Sequence, residues 1–148
     1  MEKILIINGP NLNLLGNREK QFYGDTTLEK IKILCDQHCD KNNIKATFFQ
    51  SNHEGELIEK IHSVESNFDG MIINPAAFTH TSIALLDALR ATLKPKIEIH
   101  ISNIYAREDY RRKSITSEAV NGVICGFGEN GYILAIEAIK NLIYSETK

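Results

Sequence analysis

Short apolar runs alternate along the chain with longer segments in which apolar residues recur every three or four positions. The first run, residues 3–8 (K-I-L-I-I-N), is almost continuously apolar. Such a run is typical of a strand buried on both faces of a parallel sheet. The remaining predicted strands are 45–50, 71–74, 96–102 and 122–125, and the predicted helices are about 26–41, 52–64, 81–92 and 131–144.

Strands that alternate with helices predict an α/β fold. Right-handed connections in such a fold lay helices on both faces of a parallel sheet. The five predicted strands favour a single flavodoxin-like domain over residues 1–148, a three-layer sandwich with strand order 2-1-3-4-5. Ligands of this architecture bind beyond the carboxyl ends of the strands, so the chemistry is expected at that edge.

The connection after the first strand is unusually long. Residues 9–24 separate this strand from the first helix, whereas such connections usually take about two to six residues. Long loops in compact domains are commonly lids or disordered segments, and Leu12, Leu15 and Phe22 are too apolar for a disordered linker. We therefore expect a lid that packs over a site, with a surface loop docked on its own core as the alternative.

Composition and charge narrow the range of partners. The chain has 148 residues, a length typical of one domain, and a formal net charge of -2. This charge gives no reason to expect nucleic acid or an anionic membrane as a partner. No apolar run reaches the ~20 residues of a membrane span, and no signal-peptide pattern follows Met1, so we expect a cytoplasmic protein.

Two cysteines flank a histidine on the first predicted helix. Cys35, His38 and Cys39 faintly suggest a metal site, but closed zinc sites have four ligands. Cys35 and Cys39 also continue an apolar stripe that begins at Leu28 and Ile31, and free cysteine packs as a small hydrophobe. Side chains four apart on a helix lie about 5–6 Å apart, which is too far for a disulfide. We predict core packing and no metal.

The fourth predicted strand carries a row of polar side chains. Alternation places Glu98, His100 and Ser102 on one face and isoleucines on the other. Because an inner parallel strand should be apolar on both faces, the row indicates either an edge strand with a wet face or a strand that carries a site. We favour the site, with His100 as general acid or base. Three arginines follow, of which we expect one near the crevice and two in solvent: Arg107, Arg111 and Arg112.

A glycine-rich stretch near the end of the chain matches the letters of a dinucleotide fingerprint. Residues 126–131 read G-F-G-E-N-G and follow a predicted strand. The fingerprint also needs a second strand and an acidic residue about 20 positions further on, within one βαβ unit. Here the chain finishes in a single helix, so we interpret these glycines as a tight turn with close strand–helix packing.

Five longer stretches resemble one family. They are I-N-G-P-N-L-N-L-L-G-x-R-E with F-Y-G behind it, S-N-H-E-G-E-L-I, I-I-N-P-A-A-F-T-H-T-S, E-I-H-I-S-N-I-Y-A-R-E and G-V-I-x-G-x-G-x-x-G-Y. Together they are very specific, and over nearly the whole chain the sequence resembles the type II 3-dehydroquinate dehydratases of the shikimate pathway. The resemblance implies a flavodoxin-like fold and elimination of water from 3-dehydroquinate to give 3-dehydroshikimate, without metal or cofactor.

The resemblance also implies roles for individual residues. Tyr23 matches the base that removes a proton from the carbon beside the ketone, and Arg18 matches the arginine that activates it. Asn13 matches the residue that holds a water against the developing enolate oxygen. His100 matches the acid that protonates the departing hydroxyl, with Glu98 as a supporting carboxylate.

A second set of positions matches the substrate-binding residues of this family. Ile101 and Ser102 would offer backbone N–H groups to the substrate carboxylate, and Asp87 would reach the site of a neighbouring subunit. The resemblance implies a homo-oligomer, a dodecamer built from four trimers. The complete implied binding set is Asn74, His80, Asp87, Ile101, Ser102 and Arg111.

Two other functions are compatible with the fold. A non-catalytic flavodoxin-like module that binds a small polar acid would keep the crevice, but it has no need of Tyr23, Arg18 and His100. A flavin- or phosphate-binding relative would want a loop rich in serine, threonine and glycine after the first strand. The sequence places Pro10, asparagines and leucines there instead.

Overall fold

A five-stranded parallel sheet organises the chain. The computed structural model describes residues 1–17 and 19–146, so Arg18 lies outside the described residues. The strand order is 2-1-3-4-5, and every neighbouring pair is parallel, as the sequence predicts. The strands are β1 (Glu2–Asn8), β2 (Ile44–Gln50), β3 (Gly70–Asn74), β4 (Lys96–His100) and β5 (Gly122–Cys125).

Helices cover both faces of the sheet, which confirms the three-layer prediction. Alternate residues of β1 enter different cores: Ile4 and Ile6 face one layer of helices, while Leu5 and Ile7 face the other. Each fully buried side chain of this kind stabilises the fold by about 1.5–3 kcal/mol. The helices are α1 (Lys20–Tyr23), α2 (Leu28–Lys41), α3 (Glu54–His62), α4 (Val64–Asn67), α5 (Ile83–Ala91) and α6 (Asn130–Glu146).

Helix α2 begins at Leu28, two residues after the predicted start at residue 26. The Thr27 side chain accepts a hydrogen bond from the Lys30 backbone N–H and so satisfies one of the free donors of the first turn. Cys35 and Cys39 are completely or almost completely buried between α2 and the sheet. Burial raises the pKa of each thiol to about 12, so both cysteines behave as core side chains rather than as reactive thiols.

Three details differ from the sequence-based prediction. Strand β4 ends at His100 rather than at residue 102. The predicted helix over 52–64 is interrupted at Ser63, which separates α3 from α4. The spacing of Leu86, Leu89 and Leu93 predicts that all three lie on one buried stripe of the third helix, but Leu93 is 84% exposed because α5 ends at Ala91.

The long connection after β1 is anchored in the core. It contains a 3-10 turn at Leu12–Leu14 and the four-residue helix α1. Leu12 and Leu15 are buried in the main cluster, so this part of the loop packs on the core of its own domain. At its start, a Cβ on Gly9 would lie 2.5 Å from the carbonyl oxygen of Pro75, so a glycine is needed where the loop crosses β3.

Within the described ranges, none of the helices has the length and apolar character needed to cross a membrane.

Candidate active site

Polar side chains meet where β1 and β3 end side by side. Asn8 pairs in register with Asn74, and both are buried. The Tyr132 hydroxyl of α6 links them, because it donates to Asn8 Oδ1 and accepts from Asn74 Nδ2 at 3.1 Å. Asn74 Oδ1 accepts the backbone N–H of Ala76 at 3.1 Å. These bonds fix the orientation of the Asn74 amide at the edge of the sheet.

His100 occupies the carboxyl end of β4. Its Nε2 lies 2.8 Å from Oε2 of Glu98, and both side chains are almost completely buried. A carboxylate only accepts hydrogen bonds, so this contact places a proton on Nε2 of His100. The other ring nitrogen, Nδ1, is then the atom that exchanges a proton with a ligand. The predicted polar row is therefore confirmed for Glu98 and His100, while Ile97 and Ile99 enter the core.

Hydroxyl groups surround the Glu98 carboxylate. Thr116 donates to Oε1, and Thr79 and Ser114 each lie 3.1 Å from Oε2. Burial by itself would raise the pKa of this carboxyl, but the hydrogen bond and charge of His100, with the hydroxyl bonds, hold that pKa below its usual value. The carboxylate is thus buried, ionised and hydrogen-bonded, which is the condition under which a buried charge is tolerated.

A pocket of ≈ 120 Å³ opens in front of His100. It is bounded by the start of the long loop, by the turn after β3 and by the segment after β4. Polar and charged groups from all three segments face one small volume, as expected of a site for a polar ligand. The polar lining residues are Asn11, Tyr23, Asn74, His80, His100, Ser102, Arg107 and Arg111.

Tyr23, the last residue of α1, also lines this pocket. The Arg107 guanidinium donates from Nη1 to the Tyr23 hydroxyl at 2.8 Å and from Nη2 to the Glu19 carboxylate at 3.1 Å. Its carbon Cζ lies 4.0 Å from the centre of the Phe22 ring. Only 3% of the Arg107 side chain is exposed. Because Arg107 and Arg111 both line the pocket, the expectation of one arginine near the crevice and two in solvent is wrong. This cation is stacked and held against the phenol.

A second, larger cavity of ≈ 540 Å³ adjoins the first. Tyr23, Ser102 and Arg107 line both cavities. Among the described residues, the lining of the larger cavity includes neither His100 nor Asn74. The smaller pocket therefore contains the histidine and the strand-end amide together with the tyrosine, and it is the candidate active site.

His80 and Arg111 complete the rim of the pocket. Nδ1 of His80 donates to the carbonyl oxygen of Lys113 at 2.7 Å, which leaves Nε2 for a ligand. Arg111 donates from Nε to the Glu108 carboxylate at 2.8 Å and retains its other N–H groups for an anionic or hydroxylated ligand. Arg112 is exposed, as expected, and pairs with Asp109.

Comparison with known proteins identifies the family of this chain. The family Dehydroquinase class II matches residues 2–140. The chain belongs to the class II dehydroquinases. The 3-dehydroquinate dehydratase of Clostridium botulinum strain Hall is 53% identical over 146 residues, covering 99% of both chains. The corresponding enzyme of Caldicellulosiruptor saccharolyticus is 51% identical over 144 residues, covering 97% of this chain and 99% of its own.

Solved structures of class II dehydroquinases share the fold. The type II dehydroquinase of Butyrivibrio crossotus superposes with a TM-score of 0.92 at 47% identity and covers 94% of this chain and 97% of its own. The enzyme of Propionibacterium acnes gives a TM-score of 0.91 at 38% identity, with 97% of each chain covered. The resemblance found in the sequence and the flavodoxin-like fold it implies are confirmed.

Most of the predicted dehydroquinase site residues converge on the pocket. Asp87 and Asn13 do not. Asp87 is exposed on α5 and does not line the pocket of its own chain. Asn13 is exposed on the 3-10 turn, where its Oδ1 accepts a 3.5 Å contact from Gln50. The residues that do converge are Tyr23, Asn74, His80, His100, Ile101, Ser102 and Arg111, with Glu98 directly behind His100.

Sequence reasoning missed several residues of the dehydroquinase pocket. Asn11 lines the pocket two positions before Asn13, and only the turn geometry separates the two. Arg107 stood in the sequence as one of three equivalent arginines. The partners of Glu98 lie 16 to 19 residues away along the chain. The one available signal for them was the requirement that a buried Glu98 be hydrogen-bonded.

Proposed function

We propose that this chain eliminates water from 3-dehydroquinate in the 120 Å³ pocket, with Tyr23 as base and His100 as acid. Membership of the class II dehydroquinases confirms the predicted enzyme class, a dehydratase of the shikimate pathway. The observation that carries the mechanism is the pairing of two proton-transfer groups in one pocket. Tyr23 is held by a cation, Arg107, and His100 by an anion, Glu98.

The base half of the mechanism rests on Tyr23. A free phenol titrates near 10, so a tyrosine that acts as a base near neutral pH needs a neighbouring positive charge. Arg107 supplies this charge at 2.8 Å, from a guanidinium that is withdrawn from solvent. Tyr23 would take a proton from the carbon beside the ketone, and the electrons of that C–H bond would pass to the ketone oxygen as an enolate. The predicted activator Arg18 would add a second charge.

Stabilisation of the enolate is assigned to Asn11. The sequence resemblance gave this role to Asn13, but Asn11 is the asparagine of this segment in the pocket wall. Its backbone N–H donates to the Oδ1 atom of Asn52 at 2.9 Å, which holds the residue in place. An amide N–H, acting directly or through a water, stabilises the negative oxygen that forms as the proton leaves.

The acid half rests on His100. As the enolate collapses, the C–O bond to the leaving hydroxyl breaks, and Nδ1 of His100 would supply the proton that completes a water molecule. Glu98 stabilises the imidazolium through the 2.8 Å contact at Nε2. Base and acid then return to their starting states by exchange with water, so the reaction needs no other reactant.

The remaining residues of the pocket would bind the substrate. The carboxylate of 3-dehydroquinate would lie near the backbone N–H groups of Ile101 and Ser102, and Arg111 would bind a hydroxyl group. Asn74 and His80 present hydrogen-bonding atoms whose orientation is already fixed by Tyr132 and Lys113. Fixed groups of this kind bind a polyhydroxylated ring with little loss of side-chain entropy.

A homo-oligomer, specifically a dodecamer of four trimers in the cytoplasm, is our proposal for the working form. It follows from the family resemblance, and it gives Asp87 a role at the site of a neighbouring subunit. Asp87 shares α5 with Ile83, an isoleucine that is 63% exposed in the single chain. Sedimentation velocity should give a mass near twelve chains, and a monomer at micromolar concentration would contradict the proposal.

The activity is tested by adding 3-dehydroquinate to the purified protein. Formation of the conjugated enone is followed by its ultraviolet absorbance between about pH 6 and 9. The expected result is turnover without added metal or cofactor. If the protein binds 3-dehydroquinate but gives no absorbance change at any pH, the chain is a binding module and the proposed function is wrong.

A further inference from the structure

Three hydroxyl groups from two different segments of the chain surround the carboxylate of Glu98, which contacts the proposed acid His100. Thr79 lies in the 3-10 turn after β3, while Ser114 and Thr116 lie in the segment after β4. Thr79 and Thr116 are completely buried, as is Glu98. The Thr79 hydroxyl lies 2.6 Å from that of Ser114 and 2.7 Å from that of Thr116. We name Thr79, Ser114 and Thr116 the hydroxyl cage.

The hydrogen bonds of the cage point toward an ionised carboxylate. The backbone N–H of Ser117 donates to Oγ of Ser114 at 3.1 Å, so the Ser114 proton is available for Glu98. Among the residues that the structure describes, Thr116 is the donor to Oε1 of Glu98. With Nε2–H of His100 on Oε2, donors converge on Glu98 from several sides. A protonated Glu98 would bring an additional proton into this donor-rich site.

The same segment fixes the other histidine. The backbone N–H of Ile115 donates to the Thr79 carbonyl at 2.6 Å, which joins residues 113–117 to the turn that precedes α5. The Lys113 carbonyl oxygen accepts from Nδ1 of His80. Residues 114–117 (S-I-T-S) contribute no ionisable side chain of their own, so the segment acts on both histidines through hydrogen bonds alone.

Few ionisable groups compete with this arrangement. His100 faces Glu98 from the same strand. Burial is the main cause that raises the pKa of the Cys125 thiol on β5, and the nearby charge of Glu98 raises that pKa further. A neutral thiol adds no charge to the site. Lys96, on the same face of β4, directs its Nζ to the carbonyl oxygen of Thr92. The charge on Glu98 is therefore balanced by His100 and stabilised by the cage.

We propose that Thr116, supported by Ser114 and Thr79, is a positioning residue that keeps Glu98 ionised and aimed at Nε2 of His100, so that His100 holds the proton it delivers. The proposal rests on the proposed function, because it assumes that His100 is the acid of the dehydration. Thr116 does not line the candidate pocket, so its effect on turnover would pass through Glu98.

The test compares Thr116→Val, Thr116→Ser and a matched control, Thr92→Val. Thr92 is also a buried threonine that donates to a glutamate, Glu65, but it lies at the end of α5 and outside the candidate pocket. We expect Thr116→Val to lower kcat about tenfold, to change KM less than about threefold and to move the alkaline limb of the pH–rate profile to lower pH by about one unit. Thr116→Ser should restore most of the rate, and Thr92→Val should leave the profile unchanged.

Two results would overturn the positioning role of Thr116. One is a Thr116→Val enzyme with the wild-type kcat and an unshifted alkaline limb. The other is a loss of kcat in Thr92→Val that equals the loss in Thr116→Val. If Thr116→Val does not fold, Ser114→Ala decides, with an expected three- to tenfold loss of kcat and the same direction of shift; an unchanged profile rejects the cage. A wild-type protein that does not turn over 3-dehydroquinate would instead reject the proposed function.

Discussion

The two halves of the candidate site are built in different ways. The acid half lies at the end of a central strand, where His100 and Glu98 are almost completely buried and the hydroxyl cage surrounds the carboxylate. The base half lies on the long loop after β1, where Tyr23 ends a four-residue helix. There Arg107 is shared with Glu19, whose side chain is 48% exposed.

The geometry of the two halves therefore depends on different parts of the structure. The acid half forms when the sheet and its flanking turns pack, so its geometry is a product of the fold itself. The base half depends on how the loop docks against Arg107, since Tyr23 is partly buried at the edge of the core whereas Leu12 and Leu15, near the start of the loop, are buried in it. We therefore expect substitutions in the base half to affect turnover with little effect on stability, and substitutions in the acid half to affect both.

The largest effect is expected for Tyr23→Phe, which removes the base but keeps the ring. Turnover should fall at least about 10³-fold, because general-base catalysis typically contributes about 10²–10⁴, while 3-dehydroquinate still binds. Steady-state kinetics and calorimetric binding measure the two effects. Tyr110→Phe is the matched control, since Tyr110 is 68% exposed. A Tyr23→Phe enzyme with the wild-type rate would remove Tyr23 from the mechanism.

Arg107→Ala tests the cation of the base half. We expect kcat to fall about 10²-fold and the pH at which the rate saturates to rise, because the phenolate loses the cation that donates a hydrogen bond to it. The control is Arg112→Ala, which removes an exposed arginine paired with Asp109. If the two variants have equal thermal stability, the fall in kcat comes from the chemical step and not from a loss of folded protein. A lower rate with an unmoved pH profile would speak against activation by Arg107.

A pair of asparagine substitutions tests which residue faces the enolate. Asn11→Ala should lower kcat about 10- to 100-fold, because one donor to a developing oxyanion is lost. Asn13→Ala should change kcat less than about threefold, because Asn13 does not line the pocket. The reverse order of effects would restore the assignment to Asn13 that the sequence resemblance suggested.

The smallest effect concerns the acid stability of the fold. Although burial would raise it, the pKa of Glu98 is held below its usual value by His100, Thr116 and Ser114. Its stabilisation is therefore present above about pH 4.3, the pKa of an unfolded glutamate, and is lost as the pH falls through the lower, folded pKa. Glu98→Gln should lack this contribution of about 1–3 kcal/mol.

Thermal unfolding between about pH 6 and 3 measures this contribution. The difference in Tm between wild type and Glu98→Gln should be largest near neutral pH and should shrink as the solution becomes acidic. Glu59→Gln, a change on the exposed face of α3, should leave the pH dependence of the wild type intact. A constant difference across the range would mean that Glu98 is not ionised in the folded protein.

The fold was predictable because its signals are local. The apolar run of β1 and the apolar stripe of α2 are both readable from local sequence, and both are confirmed. The polar row of the fourth strand predicted a site at His100 and Glu98, because an inner strand of a parallel sheet is usually apolar on both faces. Leu93 was misplaced because helix periodicity does not indicate where α5 ends.

The rest of the site depends on contacts that are distant in sequence. Arg107 meets Tyr23 across 84 residues, and nothing in the spacing of three nearby arginines distinguishes the one that becomes buried. Asn11 and Asn13 differ by the direction in which a 3-10 turn sends each side chain. The cage around Glu98 joins residues from separate turns, so the sequence predicts a need for donors but does not identify them.

The separation of the two halves is tested most directly by pH–rate profiles of kcat for wild type, Arg107→Ala and Thr116→Val. If Tyr23 must be ionised and His100 protonated, the wild-type profile is bell-shaped. Loss of Arg107 should then move only the acid limb, to higher pH, and loss of the Thr116 hydroxyl only the alkaline limb, to lower pH. Two variants that move the same limb, or both limbs together, would contradict the assignment of base and acid to separate halves of the site.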